Sequence, residues 1–217
     1  MSTHFGGRTL ARSQALQLLF QAEANGRAVI EVLEGDYALS QGPLDDYARQ
    51  LALGCDETRP NLDAVISMRS TTWSLSRMNA VDRNLLRLAL YEMLNVDDVD
   101  VAVTIDECVE LAKAYGTDES SRFVNGLLGR VADDLDAGVD VVAVAREDAR
   151  RRAEERRAAE EVAAAEEASA AEAEGSEDVD SETAADATEG AAPDATEATS
   201  SDSPTDAGLA DGPEGTD

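Results

Sequence analysis

The sequence is poor in the side chains from which catalytic and metal sites are built. Its 217 residues include one histidine and two cysteines. His4 has no partner at a known motif spacing, and Cys55 and Cys108 lie too far apart for a metal-binding motif. No nucleophile with its base, metal-ligand cluster or glycine-rich phosphate loop can be recognised. The chain is therefore predicted to be no enzyme and to need no metal or cofactor.

Long hydrophobic runs are also missing. The N-terminus lacks the apolar segment of a signal peptide, and no run approaches the roughly 18 residues that a membrane span requires. Two isolated cysteines do not form a disulfide framework, so we expect both to be small buried hydrophobic side chains. These absences predict a soluble protein of the cytoplasm.

Basic residues are scarce and unevenly distributed. The chain has 18 Lys and Arg against 46 Asp and Glu, a formal charge of −28. Through Asp136 there are 12 basic and 22 acidic residues, whereas from Ala137 onward there are 6 and 24, and Arg157 is the last basic residue. The distal part has too little apolar surface to offset the entropy lost on folding.

This division predicts four segments. Residues 1–7 are expected to be a flexible N-terminus, and residues 8–136 a folded domain of common size. Residues 137–170 carry acid–base pairs four positions apart, which indicates a charged, solvated helix. Residues 171–217 are expected to be a disordered acidic tail.

Strand-like alternation is nearly absent from the folded part, and helical spacing of apolar residues dominates it. Helices are predicted over residues 9–25, over 28–39 with a break at Gly35, and over 44–58, with another opened by Pro60. Further helices are predicted over residues 80–95, 104–115 and from about 118 to 135. This pattern indicates an all-α fold, a compact bundle of six or seven helices.

Residues 77–95, RMNAVDRNLLRLALYEMLN, predict a central and mostly buried helix, because apolar residues, most of them leucines, cover more than half of its circumference. Asn79 is a suitable N-cap and places Asp82 in the first turn. Arg83 and Arg87 lie on the remaining polar side. They can be solvated or pair with Glu92 and neighbouring acids, or they can contact RNA or a protein partner.

Two local patterns follow this helix. Residues 99–103 are rich in valine and predict an extended connector, after which Thr104 and Glu107 have the spacing of a capping box at the start of a helix. Gly126 and Gly129 stand inside the last helix of the folded part. Glycine there costs about 1 kcal/mol relative to alanine, so either close packing or close approach of a ligand is expected.

Three blocks of the chain resemble the NusB family of transcription antitermination factors. They are ARSQALQLLFQAE, TWSLSRMNAVDRNLLRLALYEML and VTIDECVELAKAYGTDESSRFVNGLL, and the resemblance covers residues 8–135 in order. It implies a helical fold of two subdomains. It also implies binding of the boxA element of nascent ribosomal RNA together with the ribosomal protein NusE, in support of rRNA synthesis and maturation. Contact with other transcription elongation factors and with RNA polymerase is expected to be indirect.

The resemblance also suggests site residues. Arg8 and Arg12 match a phosphate-binding patch that is richer in arginine in the family, and Phe20 matches an aromatic for base stacking. In the second region, Phe123 matches an RNA-contact position, although a core aromatic is the alternative. The predicted RNA-binding residues are Arg8, Arg12, Phe20, Arg83, Arg87, Phe123 and Asn125, and the predicted NusE surface contains Glu119 and Arg122.

Other functions remain open from the sequence. The chain could be the NusB-like domain of an rRNA cytosine methyltransferase, but the residues after 136 contain neither strands nor a cysteine for its catalytic domain. It could also be a homodimeric scaffold with weak RNA affinity. The acidic tail is expected to act as a solubiliser, and the alternative is an RNA mimic that competes for Arg8 and Arg12.

Overall fold

The computed structural model describes residues 5–71 and 73–174, and these residues form helices joined by short connections. The helices are α1 (Gly7–Asn25), α2 (Val29–Glu34), α3 (Asp46–Arg69), α4 (Ala80–Asn95), α5 (Val101–Tyr115), α6 (Ser120–Asp136) and α7 (Val141–Glu174). A short 3-10 turn, Leu75–Arg77, precedes α4. No strand occurs within the described residues, which confirms the all-α prediction.

Helix α4 is the centre of the bundle, as its leucine pattern predicted. It packs against α1, α3, α5 and α6. Leu85, Leu86, Leu88 and Leu90 are fully buried. A helix of this composition has more apolar surface than one neighbouring helix can cover, so four neighbours surround it.

The start of α4 has the predicted cap. The backbone N–H of Asp82 donates to Oδ1 of Asn79 at 2.8 Å, and the Asn79 amide donates in return to Asp82 Oδ2 at 2.6 Å. These bonds satisfy one of the free N–H groups of the first turn and hold the Asp82 carboxylate at the positive end of the helix.

Helix α3 continues through Pro60, and the prediction of two helices in this region was wrong. Leu51 and Cys55 before the proline, and Leu62 and Ile66 after it, are all completely or almost completely buried. A proline inside a helix costs about 3 kcal/mol. Burying the apolar side chains of both halves against the same core offsets that cost, so tertiary packing overrides the local signal.

Gly54 explains how α3 and α4 approach each other. A Cβ placed on Gly54 would lie 2.0 Å from Cζ of Tyr91 and 2.2 Å from its hydroxyl oxygen. The tyrosine ring therefore occupies the space that any other residue at position 54 would need. Nothing in the spacing of the sequence indicates this contact.

The start of α5 also differs from the prediction. The helix begins at Val101 with Asp100 as its N-cap, so residues 101–103 are helical and not an extended connector. The capping box was wrong because Thr104 is buried and its hydroxyl donates to Glu92 Oε2 at 2.6 Å. A buried carboxylate needs donors, and this requirement outweighs a cap that the helix can form elsewhere.

Residues 1–167 form one compact unit, and of the second unit, residues 168–217, the structure describes only residues 168–174 at the end of α7. Val141 and Ala145 in the first turns of α7 are buried in the hydrophobic core, whereas residues 150–167 are exposed. Of the predicted acidic tail, residues 171–217, only residues 171–174 are described, at the end of α7, and residues 175–217 and 1–4 lie outside the described residues. None of the described helices is long and apolar enough to cross a membrane.

Candidate nucleic-acid interface

Arg12 is part of a buried ionic cluster that joins α1 to α4. Its side chain is 2% exposed, and Nε donates to both carboxylate oxygens of Glu92 at 3.0 and 2.9 Å. Glu92 also accepts hydrogen bonds from the Tyr47 hydroxyl at 2.5 Å and from Thr104. Burial and the bond to Glu92 raise the pKa of Tyr47. The Arg12 guanidinium is therefore enclosed and already paired with Glu92, and this position does not agree with the predicted phosphate contact.

Arg83 and Arg87 belong to a second cluster, centred on Glu23 of α1. Arg87 Nη1 donates to Glu23 Oε2 at 2.6 Å, and Arg83 pairs with the other oxygen of the same carboxylate. Arg87, whose side chain is 6% exposed, also donates twice to Asp63 of α3, at 2.7 and 3.0 Å. Of the two alternatives for these arginines, the structure shows ion pairing, but with Glu23 and Asp63 and not with Glu92.

The two arginines of this cluster stabilise the ionised form of Glu23. Burial favours the neutral carboxyl group, but the hydrogen bonds from Arg83 and Arg87 outweigh it and lower the pKa of Glu23. Arg83 also donates to the backbone oxygens of Leu75 and Met78 at 2.9 and 2.6 Å. It therefore stabilises the 3-10 turn before α4, and neither arginine is free for an RNA phosphate.

Arg8 remains accessible at the start of α1. Its side chain is 49% exposed, and Nη2 donates to Asp98 Oδ2 at 2.5 Å. The guanidinium carbon lies 5.1 Å from the centre of the Tyr47 ring, in the range of a cation–π contact. Phe20, three turns further along α1, is 43% exposed and presents an aromatic ring to solvent. Both residues have the accessibility that their predicted roles require.

The second predicted region lines a groove beside α6. We define the α6 groove as the depression of about 880 Å³ to which this helix contributes Arg122, Phe123, Gly126 and Arg130. Glu119, at the N-cap of α6, also lines it. Phe123 is half-buried and packs against the core with part of its ring, while it also lines the groove, and its RNA contact stays a prediction. Asn125 is exposed but does not line the groove.

The opposite side of the α6 groove contains residues that sequence reasoning missed as site residues. Trp73 is 52% exposed and, with Arg77, lies in the segment between α3 and α4. Among the described residues, neither Arg77 nor Arg122 forms an ion pair with a carboxylate of the protein. Trp73 stands inside one of the blocks that resemble the NusB family, which could have marked it as a site residue. Only the folded chain shows that it lines the same groove as α6.

Asp82 is a buried acidic residue that lines the α6 groove. It is 6% exposed, and among the described residues its Oδ1 atom has no hydrogen-bond partner. An unpaired buried carboxylate oxygen is unfavourable, but this atom is enclosed and offers no open acceptor to a bound molecule. The α6 groove thus combines arginines and aromatic rings with one buried acid.

Gly126 needs no close packing. A Cβ at Gly126 or Gly129 would meet no atom within 4 Å, so close approach of another helix explains neither glycine. Of the two expectations for these positions, packing is wrong. Gly126 lines the groove, where the missing side chain leaves room for a ligand.

Tyr115, the last residue of α5, contacts the first part of the chain. Its hydroxyl lies 2.7 Å from Ser13 Oγ of α1, and its ring centre is 6.1 Å from that of Phe5. Helix α6 begins five residues later. The end of α5 is therefore held beside α1.

The sequence pattern of the NusB family matches residues 9–133, which is more than half of the chain. The chain belongs to the NusB family. The matched region comprises nearly all of α1 to α6, and with them the two ionic clusters and the α6 groove.

Individual relatives agree with this assignment. The chain is 42% identical over 128 residues to the transcription antitermination protein NusB of Thermobifida fusca, covering 59% of this chain and 90% of the relative. It is 45% identical over 129 residues to the protein of the same name from Salinispora tropica, covering 58% of this chain and 95% of the relative. Both names describe a transcription antitermination protein, in agreement with the expectation that the chain is not an enzyme.

A solved structure shows the same fold. NusB of T. maritima superimposes with a TM-score of 0.53 at 38% identity, covering 60% of this chain and 94% of that structure. The part without a counterpart is of about the length of α7 and the residues that follow it. The common NusB unit thus carries the candidate interface, and the acidic extension is additional to it.

No metal site accompanies the interface. Within residues 5–71 and 73–174, no group of three or more His, Cys, Asp or Glu side chains is placed to hold a metal ion. Cys55 and Cys108 are both buried, and burial raises the pKa of the Cys108 thiol to about 12. Both thiols are therefore protonated core side chains at neutral pH.

Proposed function

We propose that this chain is a non-catalytic RNA-binding factor of transcription antitermination. It acts in the cytoplasm on nascent ribosomal RNA, where it binds the boxA element together with the ribosomal protein NusE. Membership of the NusB family supports this role. The observation that carries it is the set of accessible arginines and aromatic rings in the α6 groove, together with accessible Arg8 and Phe20 on α1.

Arg8 and the α6 groove supply the RNA-binding chemistry. Clustered guanidiniums bind phosphates and release counterions, and exposed aromatic rings stack on unpaired bases. Arg8 is accessible at α1, and Arg122 with Phe123 is accessible at α6. We retain Phe20 and Asn125 as accessible RNA contacts, whereas Arg12, Arg83 and Arg87 support the fold beneath this surface.

Glu119 and Arg122 are proposed to contact NusE at the rim of the α6 groove. They stand three residues apart at the start of α6, and both are exposed. A shared surface also accounts for RNA binding by an acidic chain, since a basic partner would add positive charge.

A binding assay with defined variants tests this function. Titration of boxA-like RNA, with and without NusE, should show binding that NusE strengthens. Measured without NusE, so that the proposed NusE contact of Arg122 does not contribute, replacing both Arg77 and Arg122 with alanine should lower the affinity and reduce the salt slope by roughly 0.7 per lost phosphate contact. Phe123→Leu keeps an apolar side chain against the core and removes stacking, so it should weaken binding by about 1 kcal/mol or more.

Arg49→Ala is the matched control, because Arg49 is exposed on α3 and does not line the α6 groove. It removes one positive charge from another surface, against two in the double variant, and should change the affinity by much less than half as much. An effect of Arg49→Ala equal to half that of the double variant would show that only overall charge matters. Absence of boxA binding under all conditions would refute the proposed function.

A further inference from the structure

Asp98 holds the accessible arginine of α1. Arg8 Nη2 donates to Asp98 Oδ2 at 2.5 Å, and Arg8 Nη1 lies 3.5 Å from the backbone oxygen of the same residue. Asp98 stands in the connection between α4 and α5, so this contact joins residues 90 positions apart. Two nitrogens of the guanidinium therefore face one aspartate.

This arrangement resembles the way a guanidinium meets a phosphate. Carboxylate and phosphate groups both offer paired oxygens to the fork of an arginine. The hydrogen bond from Arg8 and its charge lower the pKa of Asp98, so the aspartate is ionised at neutral pH. An RNA phosphate that approaches Arg8 must therefore compete with a negative group that is already in place.

The ion pair between Arg8 and Asp98 lies at the surface and can separate at little cost in free energy. The side chains of Arg8 and Asp98 are 49% and 67% exposed, so separating them leaves no charge buried. Exposed ion pairs contribute little to stability. The Tyr47 ring lies under the guanidinium and is itself held by the hydrogen bond to Glu92, so it keeps supporting Arg8 when Asp98 leaves.

We propose that Asp98 occupies the phosphate position on Arg8 in the RNA-free protein and so sets the RNA affinity by competition. This inference rests on the proposed function, because it requires that Arg8 contacts RNA. On RNA binding, a phosphate group would replace the Asp98 carboxylate at the Arg8 guanidinium. Asp98 is thus a tuning residue of the interface and contacts no RNA itself.

Replacing Asp98 with asparagine tests the exchange. Asp98→Asn keeps the shape of the side chain and removes the competing charge, so boxA-like RNA should bind about two- to fivefold more tightly, the range expected for loss of one exposed ion pair. Asp97→Asn is the matched control, since Asp97 is also exposed and differs by the same charge one residue away. It should cause a clearly smaller gain.

A double variant separates direct competition from general charge. In an Arg8→Ala background, Asp98→Asn and Asp97→Asn should have the same small effect, because no guanidinium remains to be released. Carbon-13 NMR of the Asp98 carboxyl group gives a second readout. Its pKa should rise toward the ordinary range when the full-length protein is saturated with RNA.

The outcomes distinguish the inference from the proposed function. If boxA-like RNA binds but Asp98→Asn and Asp97→Asn are equivalent in the wild-type background, competition at Arg8 is refuted and the function stands. Weaker binding by Asp98→Asn would equally refute it, because Asp98 would then orient Arg8. If no variant binds RNA, the function fails and the inference fails with it.

Discussion

Two acidic residues form ion pairs with three arginines that the sequence suggested as RNA contacts. Glu92 accepts hydrogen bonds from Arg12, Tyr47 and Thr104, and Glu23 pairs with Arg83 and Arg87. A motif shows which residue types are present but not which direction their side chains take. Arginines that suggested RNA binding are therefore in part the internal support of the fold.

Glu23→Gln should destabilise the protein. The substitution leaves Arg83 and Arg87 without their shared carboxylate, and a partner lost from a partly solvated cluster costs roughly 1–2 kcal/mol. The folded state lowers the pKa of Glu23 below its ordinary 4.5, so its contribution is complete above that pH. The contribution is lost as the pH falls through the folded-state pKa. Urea unfolding of both proteins between pH 7 and pH 3 measures the difference.

Glu34→Gln serves as the control for this experiment. Glu34 is exposed at the end of α2, outside the cluster. Its replacement should change the free energy of unfolding by less than about 0.5 kcal/mol. A stability difference for Glu23→Gln that persisted unchanged at pH 3 would show that the carboxylate charge is not its cause.

Gly54→Ala should also destabilise the protein, although alanine is the better helix former. The new Cβ would lie 2.0 Å from Tyr91 Cζ and force the ring or α4 to move. Overpacking of this kind costs about 1–3 kcal/mol, which exceeds the gain of about 1 kcal/mol in helix propensity. Thermal unfolding of Gly54→Ala measures the loss.

Removing the ring should reverse the sign of that effect. In a Tyr91→Ala background the space beside residue 54 is open, so Gly54→Ala should stabilise the protein by up to about 1 kcal/mol. A thermodynamic cycle of the four proteins gives the coupling energy. Destabilisation by Gly54→Ala in both backgrounds would place the strain elsewhere than at Tyr91.

At the scale of the element, Pro60 is the clearest conflict between local signal and packing. Pro60→Ala should restore the missing backbone donor to α3 and raise the free energy of unfolding by roughly 1–2 kcal/mol. That is less than the full proline cost, because alanine also increases the entropy of the unfolded chain. Urea unfolding measures the gain.

Pro43→Ala provides the contrast in a loop. Pro43 precedes α3, and its backbone oxygen accepts a hydrogen bond from Gln14 at 2.8 Å. The substitution adds only unfolded-state entropy there, so it should leave stability unchanged or lower it by up to about 1 kcal/mol. A gain at Pro43 equal to that at Pro60 would refute the helix explanation.

At the scale of the whole molecule, the acidic extension sets the net charge. Ending the chain after residue 174 removes 13 acidic residues and no basic residue, which changes the formal charge from −28 to −15. Since exposed charges are screened within about 8 Å at physiological salt, RNA affinity should change less than twofold. Self-association should increase because intermolecular repulsion falls.

RNA titration and sedimentation of the full and shortened chains at low and high salt test this prediction. The cut is placed after α7 because ending the chain at residue 136 would remove Val141 and Ala145 from the core. Several-fold tighter RNA binding by the shortened chain at low salt alone would contradict a solubilising role. It would support the alternative, an RNA mimic.

The sequence by itself determined the helical class, the buried α4 with its Asn79 cap, and the family. Apolar periodicity and capping residues act over one or two turns, so they can be read locally. Tertiary structure decided the continuity of α3 through Pro60, the hydrogen bond from Thr104 to Glu92, and which arginines remain accessible. These outcomes depend on a core or a carboxylate contributed by distant residues, and only the folded chain brings those groups together.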